Sequence, residues 1–88
     1  MESAPDEHSV LVCLPTDERE AAIALAEATR LAGELRSPLS IIQLYPDDWA
    51  GPLKPRPNVW HLKTDEPAEA VRRFAVRRRF THVVFIRA

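Results

Sequence analysis

Residues 9–45 read SVLVCLPTDEREAAIALAEATRLAGELRSPLSIIQLY, and this stretch decides the fold. Ser9–Leu14 is a short apolar run rich in β-branched side chains, the composition of a strand buried on both faces. Pro15-Thr16-Asp17 interrupts it, and Asp17 with Glu20 three residues on has the form of a reciprocal helix cap. From there Ala21, Leu25, Ala28, Leu31, Ala32 and Leu35 recur at three- and four-residue spacing, while Glu18, Arg19, Glu27, Arg30 and Glu34 fall mostly on other faces. The pattern predicts an amphipathic helix of about five turns, whose alanines allow close approach to a sheet and whose stop is Ser37-Pro38. Leu39–Tyr45 (LSIIQLY) then has the length and composition of a second strand, with Ser40 and Gln43 as its polar interruptions.

Downstream, Pro46–Asn58 holds four prolines and one glycine among thirteen residues, which excludes a regular helix or a central strand. An extended, ordered crossing loop is expected there, with Trp49 in need of cover. Val59–Leu62 (VWHL) reads as a short third strand, whose direction relative to the second is left open by propensity. Thr64-Asp65-Glu66-Pro67 opens a second helix with Pro67 at its first position. Its inner stripe is Ala68, Val71, Phe74, Ala75 and the stem of Arg78; Glu69, Arg72, Arg73, Arg77 and Arg79 point outward, and the helix ends near Phe80. Thr81-His82 leads into the apolar run Val83–Ile86, the fourth strand. Residues 1–8 are expected to be a disordered leader and 9–88 a single α/β domain. Its architecture is a small two- or three-layer sandwich on a mainly parallel four-stranded sheet, β-α-β-loop-β-α-β.

A chain of 88 residues can hold one core without staples but leaves little spare stability. Its single cysteine, Cys13, forms no intrachain disulfide and is expected to be a small buried hydrophobe. No apolar stretch approaches the roughly 20 residues that span a bilayer, and Met1–Ser9 is polar and acidic, so a cytoplasmic protein without membrane insertion is expected. His8, His61 and His82 have no carboxylate or cysteine at ligand spacing, so neither a metal, a cofactor nor a catalytic centre is expected. Asp47 and Asp48 read as solvated turn residues.

The net charge of −1 hides an asymmetry: residues 1–48 carry ten acids and three bases, residues 49–88 three acids and nine bases. Arg72, Arg73, Arg77, Arg78 and Arg79 concentrate the positive charge on the second helix. The simplest reading is a solvated face balanced by the acidic first helix. A functional one is an acidic protein or a phosphate-bearing ligand; nucleic acid is disfavoured because no aromatic residues interleave with the arginines to stack bases.

Residues 10–45 and 58–88 together resemble the universal stress protein domain: its opening strand, alanine-rich helix and second strand, then its third strand, a helix opening as Asp65-Glu66-Pro67-Ala68-Glu69-Ala70-Val71, and its fourth strand. Thr81-His82-Val83-Val84 is similar to the version found in potassium-sensing histidine kinases. The chain departs from the family in three places. The glycine-rich phosphate loop Gly-x2-Gly-x9-Gly-Ser/Thr that follows the fourth strand in ATP-binding members is missing, and only Gly33 and Gly51 occur. Leu14-Pro15-Thr16 stands where the family has an aspartate after its first strand, and Pro46–Asn58 replaces its second helix. The resemblance therefore implies a reduced, non-catalytic regulatory domain of stress response or signalling that works through protein contacts.

The family's sheet order, 3-2-1-4-5, would leave the last strand as an apolar edge, so a homodimer or a partner domain is expected to pair there through Thr81, Val83, Phe85 and Ile86. The alternative is an adenine-nucleotide or cyclic-dinucleotide sensor at the carboxyl ends of the strands, with Pro15, Thr16, Tyr45, Thr64, Asp65 and Glu66 as contacts.

Overall fold

The computed structural model describes residues 8–51, 53 and 58–85. Four strands, β1 (Val10–Leu14), β2 (Leu39–Tyr45), β3 (Val59–Lys63) and β4 (His82–Phe85), and two helices, α1 (Glu18–Leu35) and α2 (Pro67–Arg77), follow in the order β1-α1-β2-β3-α2-β4. The sheet is wholly parallel and runs β3-β2-β1-β4. Val10 lies beside Leu39 on one side and His82 on the other, and Ile41 lies beside Val59. The chain therefore moves one way across the sheet through α1 and back across all of it through α2. Right-handed crossovers in opposite directions place the helices on opposite faces, giving three layers.

Side-chain alternation along β1 divides the core. Val10, Val12 and Leu14 meet Ala24, Ala28 and Ala32 of α1, whereas Leu11 and Cys13 join Ile42 beneath Val71 and Ala75 of α2. All five β1 residues are buried, which accounts for the uninterrupted apolar run. Leu11 and Ile42 are among the largest fully buried side chains; each such burial contributes about 1.5–3 kcal/mol.

Asp17 caps α1, its Oδ1 accepting the Glu20 N–H at 3.0 Å; the reciprocal arm is not formed. Both helices close on an arginine in the left-handed region. Arg36 (φ 53) lets the Ser37 N–H reach the Ala32 carbonyl, and Arg79 (φ 61) does the same for Phe80 and Ala75. That closure stops α2 at Arg77, three residues short of the expected end. Pro67 occupies the first turn of α2 as expected.

Two lashings complete the frame. Ser9 and Thr81 bind each other through backbone and side chain, the Ser9 N–H donating to Thr81 Oγ1 at 2.8 Å, which ties the amino ends of β1 and β4. At the opposite end Gln43 Nε2 donates to the Leu14 and Pro15 carbonyls, both at 3.0 Å, and holds the exit of β1 against β2. Residues 1–7 of the leader, part of the proline-rich loop (52 and 54–57) and Ile86 lie outside the described residues; His8 is exposed. No described helix is long and apolar enough to cross a membrane.

Candidate functional site

The sheet is four strands wide and α1 is one helix, so its face cannot be covered evenly. α1 packs over β1, reaching β4 and the near side of β2. No second helix follows β2. Over β2 and β3 the α1 face is left to Ile41, Gln43, Tyr45, Val59 and His61, and a cleft of about 590 Å³ opens there, with Leu14, Pro15 and Thr16 at the exit of β1 forming another wall. It lies at the carboxyl ends of the strands, where the loops of a parallel sheet leave room for ligands.

Trp49 forms one side of the cleft. Its ring lies 5.5 Å from that of Tyr45, and Tyr45 in turn stacks on His61 at 5.8 Å. Tyr45 is 6 % exposed, and its Oη sits 3.1 Å from His61 Nδ1. The imidazole tautomer sets the direction of this bond: with the ring proton on Nε2 Tyr45 donates, and with it on Nδ1 Tyr45 accepts. Gly51 is what lets Trp49 lie flat, since a Cβ there would come 2.6 Å from the indole Cζ2. Trp49 Nε1 and His61 Nε2 are both shielded from solvent and have no hydrogen-bond partner among the described residues. Each such buried, unsatisfied group costs about 1–3 kcal/mol. Two, on rings that each pack against Tyr45, are an uncommon concentration in so small a fold.

Of the six ligand contacts expected from sequence, Pro15, Thr16 and Tyr45 line this cleft. Thr64, Asp65 and Glu66 do not: the Thr64 N–H donates to the Tyr45 carbonyl, Asp65 Oδ1 accepts the Asp47 N–H, and Thr64 Oγ1 accepts the Glu66 N–H. These three close the turn after β3 and start α2. The sequence also left His61 without a role. A single histidine in an alternating strand says nothing until the parallel register sets it opposite Gln43, on the face it shares with Tyr45.

A second surface lies on the other face, at the β4 edge. There α2 leaves a shallow apolar groove between Val76 and Val83, 69 % and 40 % exposed, with Pro67, Phe80 and Phe85 along its floor. Among the described residues no strand lies beyond β4. Val83 and Phe85 are thus where the edge expectation put them, whereas the Thr81 hydroxyl is engaged by Ser9.

The arginine cluster resolves into individual partners. Arg72 and Arg73 both bind Glu69 one turn earlier, at 2.9 and 3.1 Å, and the Arg72 hydrogen bond, then that of Arg73, holds the Glu69 carboxyl below its usual range. Arg78 lies over the rings of Trp60 and Phe74, 5.2 and 5.3 Å from their centres. Among the described residues no ion pair joins α2 to α1, because the sheet stands between them. Balance by the acidic first helix is therefore replaced by pairing within α2.

Fold and cleft together define a small, doubly wound, parallel α/β domain. No protein-family model matches the chain, and neither do the curated proteins or the solved structures with which it was compared.

Proposed function

We propose that the chain is a non-catalytic regulatory domain, a reduced form of the universal stress protein type, that acts by pairing its β4 edge with a second copy. The observation that carries this reading is the β4 edge, beyond which no strand lies among the described residues, with Val76 and Val83 exposed beside it, because an apolar edge strand recruits another strand. Two copies paired β4 to β4 would form one continuous sheet and cover both apolar grooves.

Sedimentation of the full chain at about 50 μM, well above a micromolar dissociation constant, tests it. A dimer that Val83→Lys converts to a folded monomer is the expected result, with slow amide exchange across His82–Phe85 in the dimer only. A monomer with rapid exchange there overturns the proposal.

A second reading, an adenine-nucleotide or cyclic-dinucleotide sensor, has the Pro15, Thr16 and Tyr45 wall of the cleft in its favour. Against it, Glu18 is the only charged side chain among the described residues that line the cleft, and a carboxylate repels phosphates. A nucleotide that binds the folded state must raise the melting temperature, so a thermal-shift screen with ATP, AMP and cyclic dinucleotides decides this reading.

A further inference from the structure

The cleft over β2 and β3 has three properties that together specify a ligand. Its lining is largely apolar, with the rings of Tyr45 and His61 on the same sheet face as Ile41 and Val59, and with Leu14 and Trp49 beside them. Of its two unsatisfied polar atoms, Trp49 Nε1–H is a donor in every state, and His61 Nε2 is a donor in the tautomer in which Tyr45 donates to Nδ1. Its described charge is a lone carboxylate, Glu18, at the mouth. Its volume of about 590 Å³ is in the range of small-molecule sites.

We propose that this cleft binds an uncharged, flat heteroaromatic compound through an acceptor edge, a ring nitrogen or carbonyl that takes the Trp49 Nε1 proton. That N–H is shielded in the present arrangement, so the ring of Trp49 moves aside as the ligand enters. Trp49 can do so because it lies after β2 in the turn region rather than in a strand or helix, held by ring contact with Tyr45 and by the close approach of Gly51. The ligand then inserts against Tyr45 and supplies the acceptor that the indole lacks. An anion is disfavoured by Glu18, and a donor-only ring leaves the Trp49 N–H unmatched. No lining residue belongs to β4, so the site stands whether or not the chain pairs through that edge.

Three flat bicyclic probes separate these elements: quinoline, an acceptor that is uncharged at neutral pH; indole, a donor; and quinoline-4-carboxylate, an anion. Each is titrated to about 10 mM, the range a fragment of this size needs, into the 15N-labelled full chain while the two indole N–H resonances are followed. The Trp60→Phe variant assigns the Trp49 signal. Quinoline is expected to move the Trp49 N–H resonance downfield and to bind about tenfold more tightly than either indole or the carboxylate, the ratio of one hydrogen bond or one repulsion. Ala22→Phe, at an exposed position on the rim, is expected to abolish the shift while the circular dichroism of the chain is unchanged. Equal binding of quinoline and indole would overturn the acceptor-edge assignment. Equal binding of the carboxylate would overturn the uncharged one. A Trp49 shift that survives in folded Ala22→Phe, or no shift with any probe, would overturn the site itself.

Discussion

The two faces of the sheet solve the same packing problem with opposite materials. On the α1 face the helix contributes Ala24, Ala28 and Ala32, and its backbone comes close to β1. On the α2 face the backbone stands further from the sheet, and the gap is filled by Trp60, Phe74 and Phe80, with ring centres 5.1–6.4 Å apart. Small residues give proximity with little adjustability: the alanine methyls between α1 and β1 have no rotamer to change. Rings give the reverse, since tilting and sliding redistribute volume at little cost. The price of close approach is narrow coverage, and the cleft over β2 and β3 is the part of the α1 face that one tightly seated helix cannot reach.

If that contrast is right, the largest effects come from enlarging the alanines. Ala28 has no exposed surface, and Ala28→Leu must push α1 off β1 or distort rotamers, at a cost of about 2–3 kcal/mol. Ala75→Leu on α2, at a position 6 % exposed, meets Val71 and ring edges that can shift, and about 1 kcal/mol is expected. Urea denaturation of both variants gives the two values on one scale. Equal losses would break the comparison, because they would mean the rings are as rigid as the alanine contact.

The next effect belongs to Cys13, packed on the α2 side with Leu11 and Ile42. Burial pushes its thiol from an ordinary 9.0 up to about 12. Between those values the unfolded chain releases the thiol proton and the folded chain keeps it, so the unfolded state binds fewer protons and stability falls as pH rises. The contribution is complete below about pH 9 and is lost by up to about 1.4 kcal/mol per pH unit toward pH 12. Cys13→Ala lacks this slope, so the difference between the stability curves of the two proteins isolates it from tyrosine and lysine titration. Parallel curves above pH 9 would show that hydroxide reaches the thiol in the folded state, and that the ring-packed face is looser than its burial implies.

Much of this architecture was legible before any coordinates because its signals are local. The β-branched runs, the Asp17 cap, Pro67 and the alanine spacing each act within a few residues, and all are realised. The direction of β3 was not legible. Pro46–Asn58 has no periodicity, and only pairing of Ile41 with Val59 and Tyr45 with Lys63 makes the strand parallel. The end of α2 was misplaced because Arg79 adopts the left-handed turn that a glycine would have announced. Pro15, Thr16 and Tyr45, which line the cleft, could be named because strand ends are recognisable, and Trp49 was marked as needing cover. His61 and the two unpartnered ring nitrogens were out of reach, since they depend on a tertiary register and on which ring nitrogen Tyr45 engages. Thr64 and Asp65 lie outside the cleft lining for a related reason: short polar side chains at a helix start serve the backbone first, Thr64 Oγ1 accepting the Glu66 N–H and Asp65 Oδ1 the Asp47 N–H.

The smallest effect tests whether the ring cluster extends to a charge. Arg78 is exposed, yet its guanidinium carbon lies over both Trp60 and Phe74, while Arg77 beside it has no such contact among the described residues. A guanidinium over a ring face at an exposed site contributes about 0.5–1 kcal/mol, and its stem covers apolar surface besides. Arg78→Ala is therefore expected to cost about 1 kcal/mol where Arg77→Ala costs less than about 0.5 kcal/mol. Arg78→Met separates the two contributions, because it keeps an apolar stem of similar reach and removes the charge. An intermediate loss for Met assigns part of the stability to the cation over the rings; a loss equal to that of Ala assigns nearly all of it. If Arg78→Ala and Arg77→Ala prove equal, the charge lies over the rings without holding them, and the α2 face is adjusted by its aromatic groups alone.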